Sequence, residues 1–75
     1  MRIRLNGAWR DLHEAAPASA HGLSPSLAAV LEQLGYGHLQ VATAVNGEFV
    51  PACSRAAVWV REGDRIEVLA PMQGG

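Results

Sequence analysis

Two glycines, Gly74 and Gly75, close the sequence after Pro71, Met72 and Gln73. An end of this kind is expected to present a main-chain carboxylate on a thin thread with no side chain beside it. Glycine lets such a thread lie extended in a narrow channel where a Cβ would clash with the walls. Met72 and Gln73 have the bulk to grip the mouth of that channel. Pro71 cannot donate to a sheet ladder and marks a boundary between fold and tail. The competing reading is a frayed terminus or a cloning remnant. What separates the two is whether the preceding seventy or so residues build a platform for the tail.

No other set of residues offers comparable chemistry. Cys53 is the single cysteine, so an internal disulfide is excluded. It could hold sulfur as a persulfide, but no histidine or second cysteine is near it in sequence, and a bystander thiol is the preferred reading. His13, His21 and His38 are scattered, no CxxC is present, and no metal site is expected. Asp64 follows Gly63 and reads as a turn-capping side chain rather than a catalytic acid. Gly35-Tyr36-Gly37-His38 lacks the GxGxxG pattern and a lysine, which weakens any phosphate-cradling role. Trp59 reads as packing. With no nucleophile–base pair, no catalytic residues are assigned and no enzyme active site is expected.

The platform must be small. Seventy-five residues make one domain, and a chain of this length buries only about 60% of its unfolded surface. A composition of 49% hydrophobic and 17% charged residues suits a folded globule rather than a disordered segment. Net charge is −1, and the six basic residues, all arginine, are spread from Arg2 to Arg65. Nucleic-acid binding is therefore unsupported on charge. No apolar run approaches the ~20 residues of a membrane helix. Residues 1–5 alternate charge with hydrophobe instead of forming a signal sequence, so a cytoplasmic location is expected, with no membrane partner.

The elements follow from periodicity and turn signals. Residues 2–5 alternate as a strand, Asn6-Gly7 is a type I′ hairpin turn, and residues 8–12 return. A strict two-residue turn pairs Leu5 with Ala8, Arg4 with Trp9 and Ile3 with Arg10. Arg10 and Leu12 then face the core, and Trp9 lies where it can stack under Arg2 or Arg4. Residues 13–23, rich in alanine, read as a loop. Ser24 caps a helix with Pro25 at its first position, Ser26 being a competing cap. Leu27, Val30, Leu31 and Leu34 form one apolar stripe, and Gly35 ends the helix. Val41–Val45, Asn46-Gly47 and Glu48–Val50 make a second hairpin, with Thr43, Val41 and Val50 toward the helix. A helical turn is expected near residues 54–57, with Val58 and Val60 as anchors. Gly63-Asp64 then turns into a last strand, residues 65–70, whose Ile66 and Val68 face inward while Glu67 and Leu69 face out.

A one-sided helix must cover something flat, and the final strand must lie centrally, parallel to the first, to join both hairpins. The expected fold is therefore α+β, a β-grasp (ubiquitin-like) arrangement. It has a mixed sheet of about five strands, one main helix on one face and a flexible C-terminal tail. Residues 1–70 form the domain and residues 71–75 the Gly-Gly tail. The same register gathers Ala42, Ala44, Phe49 and Leu69 on the open face beside the tail. Such an exposed apolar patch marks an interaction site, unless Phe49 folds under residues 51–64 into the core.

Val45–Pro51 (VNGEFVP), Arg61–Val68 (REGDRIEV) and the terminal PMQGG together resemble the sulfur-carrier proteins of thiamine biosynthesis, the ThiS family. Residues 30–36 fall where that family has its helix, so the resemblance covers nearly the whole chain. Two features depart from it. The 13–23 loop is longer than in the family. Ala52 and Arg55 also stand where many members have a basic and an aromatic residue, with Trp59 further on.

The resemblance implies a carrier rather than an enzyme. A ThiF-type adenylating enzyme would use ATP and Mg²⁺, neither held permanently by the carrier, to convert the Gly75 carboxylate to an acyl-adenylate. A persulfide from a cysteine desulfurase or other donor would displace AMP and leave a thiocarboxylate, a softer nucleophile than a carboxylate. Thiazole synthase (ThiG) would accept the sulfur. Residues 72–75 would enter the partner's active site, and the Ala42, Ala44, Phe49 and Leu69 patch would dock on both enzymes. Alternatives are the small subunit of molybdopterin synthase, which shares fold and tail, and Gly-Gly carriers serving tRNA thiolation or cysteine synthesis. A reading from another class is a TGS-like β-grasp binding module, which would need no free Gly-Gly end.

Overall fold

Both Asn-Gly pairs make the tight turns their residue types favour. In the computed structural model, which describes residues 1–12, 24–37 and 39–70, Asn6 and Asn46 have φ of 50° and 52°, followed by Gly7 and Gly47 at 88° and 85°. Two successive left-handed residues give the backbone twist that matches a hairpin. The turns join β1 (Arg2–Leu5) to β2 (Ala8–Asp11) and β3 (Ala42–Val45) to β4 (Glu48–Val50). The registers are the strict ones: Leu5 opposite Ala8 and Arg4 opposite Trp9, Val45 opposite Glu48 and Ala44 opposite Phe49.

The last strand, β5 (Arg65–Leu69), occupies the centre of the sheet. The strand order is β2-β1-β5-β3-β4, with β5 parallel to β1 and antiparallel to β3. This is the mixed five-stranded sheet of the β-grasp expectation. The expected loop at residues 13–23 and tail at residues 71–75 lie outside the described residues.

One helix, α1 (Leu27–Gln33), supplies Leu27, Val30 and Leu31 to the core, and Leu34 packs against it. The strands contribute Ile3, Leu5, Val50, Ile66 and Val68, joined by Leu12 and Val60. Gly35, at φ 92°, follows the helix as its left-handed terminator. At the start of the helix the structure corrects the expectation: the cap is Ser26, whose Oγ accepts from the Ala29 amide at 3.1 Å. Pro25 is outside the helix because its carbonyl accepts from the Val60 amide and Ser26 is bridged to Trp59. Tertiary pairing holds residues 25 and 26 extended, so the helix begins two residues later than a Ser-Pro pair suggests.

Two smaller corrections share one cause, the limited reach of a short helix. Arg10, expected to face the core, is exposed on the edge strand β2, where its guanidinium remains in water. Val41 is only half-buried and precedes β3, though it still packs on the core. The connection after β4 is a 3₁₀ helix over Ala52–Ala57, longer than the turn expected, and Val58 and Val60 anchor the chain beyond it.

The asparagines do more than turn the chain. Asn6 Oδ1 accepts from the Val68 amide at 2.8 Å, and its Nδ2 donates to the Val68 carbonyl at 3.2 Å. Asn46 Oδ1 accepts from the Arg65 amide at 3.0 Å. Each turn thus clamps one end of β5, and the Asn6 side chain extends the β1–β5 ladder beyond the point where β1 has turned away.

Candidate functional site

The site is built outward from β5. Its alternation buries Ile66 and Val68 and turns Arg65, Glu67 and Leu69 to the open face. Ala70 follows, the last described residue before the tail. The proposed reactive end, Gly75, and the channel-entering residues Met72, Gln73 and Gly74 lie outside the described residues, as does Pro71.

The four patch residues do come together. Ala42 pairs with Leu69, and Ala44 pairs with both Glu67 and Phe49, so all four share the face away from the helix. Phe49 is 67% exposed and Leu69 69%, which decides against Phe49 folding under residues 51–64. A shallow cleft of about 400 Å³ runs over Ala42, Ala44, Phe49, Glu67 and Leu69. A second, of about 600 Å³, shares Ala42 and Leu69 with it and extends past Leu39, Val41 and Arg55 to Ala70. Among the described residues, three of the four large exposed hydrophobic side chains, Leu39, Phe49 and Leu69, line these two clefts. Uncovered apolar area is thereby concentrated beside the tail exit.

Leu39 and Arg55 were not legible as parts of this surface. Leu39 sits in an irregular turn without periodicity. Arg55 projects from the 3₁₀ helix, donating its Nε to Thr43 Oγ1 at 3.2 Å and an Nη2 hydrogen bond to the Val41 carbonyl. Thr43 in turn donates to the Val50 carbonyl at 3.0 Å, which satisfies a hydroxyl that is almost wholly buried. A guanidinium thus fixes the floor of the larger cleft, where the departure from the family pattern falls.

Asp64 caps its turn, accepting from the Arg61 amide at 2.8 Å and from Asn46 Nδ2 at 3.1 Å. Cys53 is an exposed free thiol on the 3₁₀ helix. His13, His21 and His38 lie outside the described residues. Trp59 is half-buried and bridges to Ser26. Among the described residues no helix is long and apolar enough to cross a membrane.

Comparison with known proteins bears on this geometry. The model of the ThiS family matches residues 3–75. A crystal structure of the thiamine biosynthesis protein ThiS from Geobacter metallireducens is similar at a TM-score of 0.75 and 26% identity, covering 100% of both chains. An NMR solution structure of a thiamine biosynthesis protein from the same organism is similar at a TM-score of 0.74 and 26% identity, covering 100% of this chain and 88% of the other. Among curated proteins no match is found.

Proposed function

We propose that this chain, which belongs to the ThiS family, carries sulfur for thiamine biosynthesis as a thiocarboxylate on Gly75. The observation that carries the reading is the family match running through residue 75, on a sheet whose central strand leads to the tail beside an open apolar face. The thiamine-biosynthesis description of both similar structures favours that acceptor over molybdopterin synthase.

In this reading the chain is a substrate of its partners and performs no catalysis itself. A carboxylate oxygen of Gly75 attacks the α-phosphorus of ATP in a ThiF-type enzyme with Mg²⁺, expelling pyrophosphate and forming the acyl-adenylate. The terminal sulfur of a persulfide, from a cysteine desulfurase or another donor, attacks the acyl carbon and AMP leaves. The resulting acyl disulfide is cleaved by a thiol, which takes the sulfur left behind into a new disulfide and releases the thiocarboxylate. Thiazole synthase then receives the sulfur in the cytoplasm. The Ala42, Ala44, Phe49 and Leu69 face supplies binding energy that a free sulfide ion could not offer.

Intact-mass spectrometry of the protein from its native host tests the reading. A fraction heavier by roughly 16 Da, the exchange of oxygen for sulfur at an activated terminus, is expected. That fraction should vanish when Gly75 is deleted. A TGS-like binding module would show neither the mass shift nor any dependence of partner binding on Gly75.

A further inference from the structure

The open face has a second half that the apolar patch does not account for. Parallel pairing of β1 with β5 sets Arg4 directly beside Arg65. Trp9 lies on the other side of Arg4, and the guanidinium carbons of Arg2 and Arg4 stand 4.9 and 5.4 Å from its ring centroid. The indole thus holds two cations on the exposed surface. Like charges at directly opposed positions of neighbouring strands repel. Arg2 is relieved by Asp11 at 3.5 Å. No carboxylate of the described residues lies within ion-pairing distance of Arg4 or Arg65. Between them is a cleft of about 250 Å³, flanked by the two hairpin glycines Gly7 and Gly47 and bordered by Glu67. Glu67 is also on the rim of the apolar cleft. The cationic and apolar halves are therefore adjoining zones of one face, on a chain whose net charge is −1.

We propose that Arg4 and Arg65 form the cationic half of a two-zone docking face, whose occupant is a protein surface bearing carboxylate side chains next to an apolar ridge. The ridge covers Phe49 and Leu69, and the carboxylates enter the cleft between the two arginines. Resting on the carrier reading above, the occupant is the adenylating enzyme. Charge complementarity sets the orientation of docking, because an apolar patch alone is non-directional. The arginine zone lies beside Arg65 at the start of β5 and Ala70 follows its other end, so a partner that meets both zones is set in one orientation along the strand.

The test uses the full chain and its adenylating enzyme, following carrier-dependent release of pyrophosphate from ATP against carrier concentration at low and high salt. Arg4→Gln/Arg65→Gln keeps both side-chain stems, and its expected effect is a rise in KM of about five- to tenfold at low ionic strength. That rise should shrink to under about twofold near 0.5 M salt, where the wild-type KM itself has risen toward the variant's. Arg10→Gln removes the same kind of charge from the opposite side of β2 and should leave KM unchanged. An equal effect from Arg10→Gln, or salt slopes identical in variant and wild type, would overturn the proposal. Arginine-dependent binding of a short single-stranded RNA would overturn it in favour of a nucleic-acid face. Failure of the wild-type chain to be adenylated at all would overturn the carrier reading and this proposal with it, which separates the two failures.

Discussion

Phe49→Glu separates recognition from folding. Phe49 stands on edge strand β4, with its ring on the open face of the sheet. A phenylalanine buries about 200 Å² when fully covered. At 67% exposure roughly 130 Å² is left for a partner to cover, worth up to about 3 kcal/mol at ~25 cal/mol/Å². Association recovers only part of such area, so the expected loss is between about tenfold and a hundredfold in affinity for the adenylating enzyme. A glutamate carboxylate desolvated against an apolar ridge pushes toward the upper end. Stability should stay within about 0.5 kcal/mol, because the removed ring makes no part of the buried core. The assay pairs urea denaturation with the KM of carrier adenylation. An unchanged KM with an intact fold would refute the docking role of this face. A collapsed urea midpoint would show that Phe49 serves the fold after all.

Three further outcomes are expected. Asn6→Gly keeps the left-handed turn but deletes both side-chain bonds to Val68, costing about 1–2 kcal/mol and lowering the urea midpoint by about 1 M; a change under about 0.3 kcal/mol would mean β5 is not clamped there. Thr43→Val preserves shape but removes the hydroxyl that donates to the Val50 carbonyl and accepts from Arg55 Nε, a loss of about 1–3 kcal/mol by denaturation. Cys53→Ser should retain full thiocarboxylate loading by mass spectrometry, since the thiol is exposed and distant in sequence from the tail; lost loading would assign it a persulfide role.

The parts of the fold that were legible are those governed by local rules. Asn-Gly turns fix register two residues at a time, and alternation then places Ile3, Leu5, Ile66 and Val68 inside without reference to the rest of the chain. Central placement of β5 followed from needing one strand to join two hairpins. What escaped depends on contacts across long sequence separations. Ser24 and Ser26 are equivalent caps locally, and only the Ser26–Trp59 bridge and the Leu27 amide bond to the Val58 carbonyl choose between them. The apolar half of the open face was legible because Ala42, Ala44 and Phe49 alternate within one hairpin and Leu69 alternates along the central strand. The Arg4–Arg65 adjacency was not, because it needs the register of the parallel pairing between strands some sixty residues apart, which no turn fixes. Arg10 failed for a related reason: register gives a residue's face, but not how far a seven-residue helix can cover it.

The clamps on β5 tie the docking face to the tail. Asn6 holds Val68 and Asn46 holds Arg65, so both ends of the strand are fixed by turns that do not belong to it. Leu69 and Ala70 therefore leave the sheet at a set point relative to Phe49 and Ala42. Beyond that point five residues remain to Gly75, and an extended chain spans at most about 3.5 Å per residue, or roughly 17 Å in all. Any enzyme that grips the open face and acts on Gly75 must keep its catalytic pocket within that distance of its grip. A longer tail would relax the constraint and lower the effective concentration of the carboxylate at the pocket. A shorter one would force the sheet itself into the active-site mouth. If several enzymes use this chain as a carrier, each must place the same distance between its docking ridge and its chemistry.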